Sequence, residues 1–186
     1  MANNLQQAYE LTLVVRSQIG DDAAFAELLH HYSPRLRFYV GKMLHERHEK
    51  TEDLLQDIWL GVFRALPKLN DAAAFRPWLF RLARHRVCRE FRRARIEFAP
   101  HEEQPLENVP ADAEPDDAVD CEDVRRQIEL LSHEHREALV LRFIEDMSYE
   151  EIARVTGNTL GTVRSRIHYA KRALRLALKG KYYECK

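Results

Sequence analysis

Residues 149 to 172 read YEEIARVTGNTLGTVRSRIHYAKR, a stretch whose chemistry is that of gripping a polyanion. A helix-turn-helix needs a small residue on its first helix, a glycine able to adopt positive φ in the turn, and an inward apolar residue on its second helix. Ala153, Gly157 and Val163 supply these. At about 100° per residue, Leu160, Val163, Ile167, Ala170 and Leu174 turn inward on the second helix. Gly161, Thr162, Ser165, His168, Tyr169 and Arg172 then point away, flanked by Arg164, Arg166 and Lys171. Short polar side chains and a glycine admit the base edges of a major groove, while flanking cations meet phosphates. An ordinary helical hairpin with a solvated basic face is the competing reading. The capping residues, the outward Gly161 and the density of cations favour DNA.

A second cationic block, FRPWLFRLARHRVCREFRRARI, starts at Phe75. Residues 76 to 96 hold eight arginines against Glu90, a net charge of +7. On a helix, Phe75, Trp78, Leu79, Leu82, Ala83 and Val87 cover one broad side, and Arg81, Arg84, His85, Arg92 and Arg95 gather opposite, with Arg89 in the same run. Cations beside an aromatic hold a phosphate backbone while unpaired bases stack. Trp78 stands at the boundary of the two faces, so core packing and base stacking are both open to it. Charge of this density points to a polyanionic partner.

Bond-making chemistry has little support. Of nine histidines, His45 and His48 do not form HExxH, and His133 and His135 fall about 200° apart on a helix, so solvated or capping roles are expected. No serine, cysteine or carboxylate arrangement suggests a nucleophile. Cys88, Cys121 and Cys185 are far apart and lack a CxxC pair, which suggests neither disulfides nor zinc and fits a reducing cytoplasm. No catalytic residue, metal or cofactor is expected.

These surfaces must be carried by helices. Glycine is scarce among the 186 residues and apolar residues recur at three-to-four spacing, so the fold class is all-α. The net charge of -1 conceals blocks: residues 97 to 123 hold eleven acids and no Lys or Arg, and residues 124 to 186 carry a net +5. The acidic stretch PHEEQPLENVPADAEPDDAVD is too poor in bulky apolar residues to offset the entropy of ordering, so residues 98–120 are expected to form a flexible linker. Two small helical domains, 1–97 and 121–186, flank it. Helices are predicted at about 4–18, 22–46, 51–66 and 73–95, then 121–131, 133–144, 148–155 and 159–178. The third carries the clearest stripe: Leu54, Leu55, Ile58, Trp59, Val62, Phe63 and Leu66 lie on one side, with Asp53, Gln56 and Asp57 off it and Pro67 ending the helix. Ser148 with Glu151 forms a capping box, and Asn158 is placed to cap the last helix. The N-terminus lacks a secretory pattern, and no window is long and apolar enough for membrane insertion.

The pairing of motifs resembles the extracytoplasmic-function group of bacterial RNA polymerase sigma factors. TEDLLQDIWLGVFRAL is similar to that group's region 2.2, FRPWLFRLARHRVCREFRR to regions 2.3 and 2.4, and the stretch from LSHEHREALV through SYEEIARVTGNTLGTVRSRI to region 4. The resemblance implies a cytoplasmic bacterial factor that makes and breaks no bond itself. Its partners would be core RNA polymerase, promoter DNA as duplex and as melted strand, and an anti-sigma factor. Asp53, Gln56 and Asp57 would face the clamp coiled coil of the polymerase. Trp78, Arg81, Arg84, His85, Arg89, Arg92 and Arg95 would serve the minus-10 element, and residues 70 to 74 would receive the melted strand. Thr162, Arg164, Ser165, Arg166, His168, Tyr169, Lys171 and Arg172 would serve the minus-35 element. His85 stands where many relatives have Asn and Arg89 where they often have Asp, so the family's minus-10 preference is not carried over. Tyr169 stands where Arg is frequent, which removes one contact bearing on the minus-35 preference, and Thr159 stands where Pro is common, a change that Asn158 capping tolerates. The acidic linker is expected to compete for the basic faces in the free factor. A stand-alone helix-turn-helix regulator is the alternative reading, and copurification with core polymerase separates the two.

Overall fold

The structure is a computed structural model describing residues 2–44, 50–97 and 121–184, with the side chains of 5–44, 50–92 and 126–178. Eight α-helices fill the described residues, and no strand occurs among them. They are α1 (Ala2–Gln18), α2 (Asp22–Leu44), α3 (Thr51–Ala65), α4 (Phe75–Glu97), α5 (Cys121–Leu130), α6 (His133–Leu139), α7 (Tyr149–Thr156) and α8 (Leu160–Glu184). Among the described residues no helix is long and apolar enough to cross a membrane. The expected linker, His45, His48 and Cys185 lie outside the described residues, as do the side chains of Arg95 and Cys121.

Local chemistry fixes each junction in the first half. Gly20, at φ 91°, takes the left-handed turn between α1 and α2. Asp21 then caps α2, its carboxylate accepting from the Ala24 amide at 3.0 Å and from Arg16 Nε at 2.8 Å. The Ala24 amide and then Arg16 hold that carboxyl below its ordinary range. Helix α3 buries Leu54, Leu55, Ile58, Trp59 and Val62. Phe63, expected in the stripe, is 56 % exposed and meets Phe25 edge-on at 5.3 Å, because at 100° per residue it falls about 40° beyond Trp59 at the stripe's edge. Pro67 lies in the 3-10 turn Leu66–Lys68, and Gln18 Nε2 donates to the carbonyls of Leu66 and Leu69, tying the end of α1 to that turn. Asp71 caps the next 3-10 turn, Ala72–Ala74, which leads directly into α4.

In the second half Ser132 caps α6, and the helix expected to run to 144 changes at Leu139 into a π-helical turn, Val140–Ile144. The chain then bends through Asp146, at φ 49°, and restarts at the Ser148–Glu151 capping box, in which both reciprocal bonds form at 3.1 and 2.8 Å. Gly157, at φ 71°, ends α7 by donating to the Ala153 carbonyl at 2.8 Å. The cap of α8 is Thr159 and not Asn158: the Thr162 amide donates to Thr159 Oγ1 at 3.2 Å. A hydroxyl one residue later reaches the third amide of the helix, so the predicted start shifts by one. At its other end α8 continues past the expected residue 178 to Glu184, through Gly180. A lone glycine costs a helix only about 1 kcal/mol relative to alanine.

The two halves share one core. Tyr32, Tyr39, Phe75 and Phe80 from α2 and α4 belong to the same buried cluster as Leu141, Met147, Ile152 and Val163. Helix α7 packs on α4, and α6 meets α2. Met147 is fully buried at this junction, a burial worth about 2 kcal/mol.

Because Ser148 satisfies an otherwise free helix amide, Ser148→Ala is expected to cost about 1 kcal/mol. The thermal midpoint should fall by about 3 °C, readable by circular dichroism.

Candidate nucleic-acid interface

The outward face of α8 is presented by a buried stripe beneath it. Val163, Ile167 and Ala170 are buried as expected, whereas Leu160, expected inward, is 38 % exposed because it opens the helix before the stripe reaches the core. Arg164, Ser165, His168, Tyr169 and Lys171 are exposed; Thr162 and Arg166 are half-buried. Ser165 Oγ donates to the Thr162 carbonyl at 2.9 Å, which leaves its lone pairs free to accept. His168 and Tyr169 meet edge-on at 5.5 Å, and Lys171 Nζ lies 5.9 Å from the centre of the exposed Phe143 ring. Open space surrounds Gly161, where an added Cβ would find only Thr159 Oγ1, at 3.8 Å. Arg172 departs from the expected face: it is half-buried, and its Nε and one terminal nitrogen are shut off without a protein partner.

On α4 the expected division of faces holds for Phe75, Leu79, Ala83 and Val87, which are buried, and for Arg81, His85, Arg89 and Arg92, which are exposed. Trp78 is half-buried, 5.9 Å from the Phe75 ring. These cations and Trp78 line an open groove of about 890 Å³. Arg84 is different. Its Nε donates to both carboxylate oxygens of Glu137, at 3.0 and 3.2 Å, and the Tyr39 hydroxyl donates to the same Glu137 Oε1 at 2.7 Å. Burial, reinforced by Glu137, pushes the Tyr39 hydroxyl well above its ordinary range. Arg76, also on α4, donates to the Asp146 carbonyl at 3.0 Å and lies 3.6 Å from Glu151.

The third expected surface is on α3. Asp53, Gln56 and Asp57 are exposed. Asp53 and Gln56 border a cleft of about 350 Å³ with Arg37 and Trp59. Arg37 holds Glu52 in a two-pronged pair at 2.7 and 3.0 Å. Both partners are exposed, so the pair orients the rim and adds little stability.

Sequence reasoning missed the charges between the halves. Glu137 and Glu145 are fully buried. Arg35 Nε donates to Glu145 Oε2 at 2.8 Å, yet burial outweighs that arginine and pushes the carboxyl up. Arg136 is 5 % exposed and donates to the carbonyls of Lys42, Ile128, Glu129 and Leu131. Lys42 also pairs with Glu129. A charge falling on an otherwise apolar helix side, as Glu137 does one turn before the buried Leu141 and beside the buried Ala138, is the signal that could have found them. His133 and His135, expected in solvated or capping roles, are half-buried: His133 Nε2 and His135 Nδ1 are shut off without protein partners, and His133 meets Phe91 edge-on at 5.6 Å. Among the described residues no group of three or more His, Cys, Asp or Glu side chains could hold a metal ion.

Comparison with known proteins assigns both halves. Residues 28–96 match Sigma-70 region 2, and residues 121–174 match Sigma-70, region 4. The chain is 32 % identical to the RNA polymerase sigma-H factor of Pseudomonas aeruginosa, covering 94 % of this chain and 96 % of that protein. It is 30 % identical to the ECF RNA polymerase sigma-E factor of Escherichia coli, over 91 % of this chain and 94 % of that protein. Among solved structures, the sigma factor RpoE in complex with the anti-sigma factor NepR from Bartonella quintana aligns with a TM-score of 0.67 at 27 % identity, covering 83 % of this chain and 96 % of that one. CnrH in complex with the cytosolic domain of CnrY aligns with the same TM-score at 24 % identity, over 92 % and 98 %, a likeness of fold.

Burial holds the His133 and His135 imidazoles below their ordinary pKa of 6.5. The folded state therefore prefers them neutral, and the stability this preference confers is complete above pH 6.5 and declines as pH falls through 6.5 toward the lowered folded values. His133→Gln is expected to flatten the thermal midpoint against pH in that window, with His135 keeping a residual slope of the same sign.

Proposed function

The chain belongs to the sigma-70 family as an extracytoplasmic-function sigma factor, a factor that brings RNA polymerase to promoters, and from that premise we propose which of its surfaces performs each task. Residues 1–97 form the domain that docks on polymerase and opens the minus-10 element. Residues 121–186 form the domain that binds the minus-35 element as duplex, and residues 98–120 tether the two. The observation that carries this reading is the presence of both sigma-70 regions on one chain, each with its own cationic helix face.

On α8, Thr162, Ser165, His168 and Tyr169 read base edges, while Arg164, Arg166 and Lys171 meet phosphates. Support comes from the exposure of most of these side chains and from the room around Gly161. Arg172, half-buried, borders that face. On α4, Arg81, His85, Arg89 and Arg92 track the melted strand, Arg84 extends that track, and the half-buried Trp78 is available for a base to stack on. On α3, Asp53, Gln56 and Asp57 meet the polymerase clamp, and their exposure beside a cleft that holds Trp59 favours this role. Neither domain needs to be strong alone: a tether converts the second contact into an intramolecular one. The chain performs no bond chemistry and acts where bacterial polymerase acts, in the cytoplasm. An anti-sigma factor is proposed as a regulatory partner, since the aligned RpoE is one half of such a complex.

Run-off transcription with core polymerase on a promoter library tests the whole reading, and selective initiation is the expected result. Absence of polymerase binding would leave only a stand-alone DNA-binding regulator. Asp53→Arg with Asp57→Arg should weaken copurification with core polymerase about tenfold, because two like charges would meet the partner's cationic surface. Arg164→Ala should weaken binding to the upstream duplex and lower the slope of log K against log salt by about one, measured by fluorescence anisotropy over a salt series.

A further inference from the structure

Glu137, on α6, is fully buried, yet the hydrogen bonds to its carboxylate among the described residues come from the other half of the molecule. Tyr39 supplies an O–H at 2.7 Å, and Arg84 supplies Nε at 3.0 and 3.2 Å. Two donors converging on two oxygens of one anion, one of them a guanidinium, is also how a protein holds a phosphate. The Tyr39 ring is fixed in turn by an edge contact with Phe80 at 5.4 Å, so its hydroxyl stays aimed when α6 is removed. Arg84 has its neighbours Arg81, His85 and Trp78 in the same groove.

We propose that Tyr39 and Arg84 form a phosphate-binding site of the first domain, that Glu137 occupies it as a built-in substitute anion, and that a single-strand DNA phosphate takes its place when the domains separate. The inference rests on the sigma-factor reading and deepens it at two positions. It also explains why a carboxylate is tolerated in the buried junction: leaving Arg84 and Tyr39 shut off without an anion would be costly, and so would a buried Glu137 without donors. Two more junction cations act in the same sense: Arg35 is held by Glu145, and Arg76 by the Asp146 carbonyl with Glu151 nearby, whereas Arg136 of the second domain donates to the Lys42 carbonyl of the first. Free protein therefore displays less cation to DNA than its sequence holds. The apparent affinity for a single strand is reduced by the fraction of molecules that are open.

The test uses the full chain without polymerase. A fluorescein-labelled single strand is titrated by anisotropy, and small-angle scattering gives the radius of gyration of the same samples. Glu137→Gln keeps the side-chain volume and removes the charge. The expected result is a larger radius and about tenfold tighter strand binding, as for release of a closed state populated at about nine parts in ten. Adding Tyr39→Phe, which keeps the ring, should leave the expanded radius and give back about threefold of the affinity gained, because the phosphate loses one donor. Glu145→Gln, which leaves the phosphate site untouched, should expand the chain and tighten strand binding, and it serves if Glu137→Gln does not fold. An unchanged radius and affinity in the folded Glu137→Gln or Glu145→Gln chain overturns the substitute-anion role. Equal affinity with and without Tyr39→Phe overturns the phosphate site. Run-off transcription by the unaltered chain reads the underlying function separately, so either failure is told apart from failure of the sigma-factor reading.

Discussion

Buried charge that must find its partner in the other half of the chain is the constraint around which the structure is arranged. Arg136 and Glu137 are consecutive residues of one short helix, and both are buried. The arginine is satisfied by carbonyls at the end of α5, by Leu131 just beyond it, and by Lys42 at the last turn of α2. Helix C-termini offer free carbonyls and a partial negative charge, so a guanidinium placed across two of them satisfies both at once. The neighbouring carboxylate faces the other way, to Tyr39 and Arg84. A single turn of helix thereby positions α6 against α2 and α4, and Met147 and Leu141 follow into the shared core.

Such an arrangement specifies the register of the junction more than it strengthens it. Replacing such pairs by apolar groups of similar shape would often leave a protein as stable or more so, whereas removing one partner is costly. An ionic junction thus adds little net stability and a great deal of geometric specification. It also contains groups that can exchange water or another ion for the present partner, which a junction of leucines could not do. The apolar share, centred on Met147, supplies affinity; the charged share decides register.

Much of the working surface was legible because it is local. Capping at Ser148 follows from residues three positions apart, and the left-handed Gly157 from the turn it must make. Val163, Ile167 and Ala170 follow from helical period alone. Errors cluster where tertiary context competes with period. Leu160 has the right phase but lies at the helix start, ahead of the packed region; Phe63 lies one step too far round α3; Arg172 has the phase of the outer face but is half-buried, with two nitrogens shut off. Thr159 and Asn158 are both good caps, and only the backbone decides between them. Nothing in a single sequence says that Glu137 meets Arg84 across 53 residues, because the pairing depends on how two independently patterned units dock.

The distribution of exposed and engaged charge bears on the order in which the proposed contacts can form. Asp53, Gln56 and Asp57 face water on α3 while Arg84 and Arg76 on α4 are held by oxygen atoms of the second half. A partner that recognises the acidic α3 surface can dock on the closed molecule, whereas a strand that needs Arg84 has to wait for α6 to move. Docking on a large assembly that holds the second domain elsewhere supplies the differential binding that opening requires, since a ligand shifts an equilibrium only by its preference for one state. On the proposed reading, recognition of the polymerase precedes exposure of the full cationic track, and the groups proposed to grip melted DNA become complete only after docking.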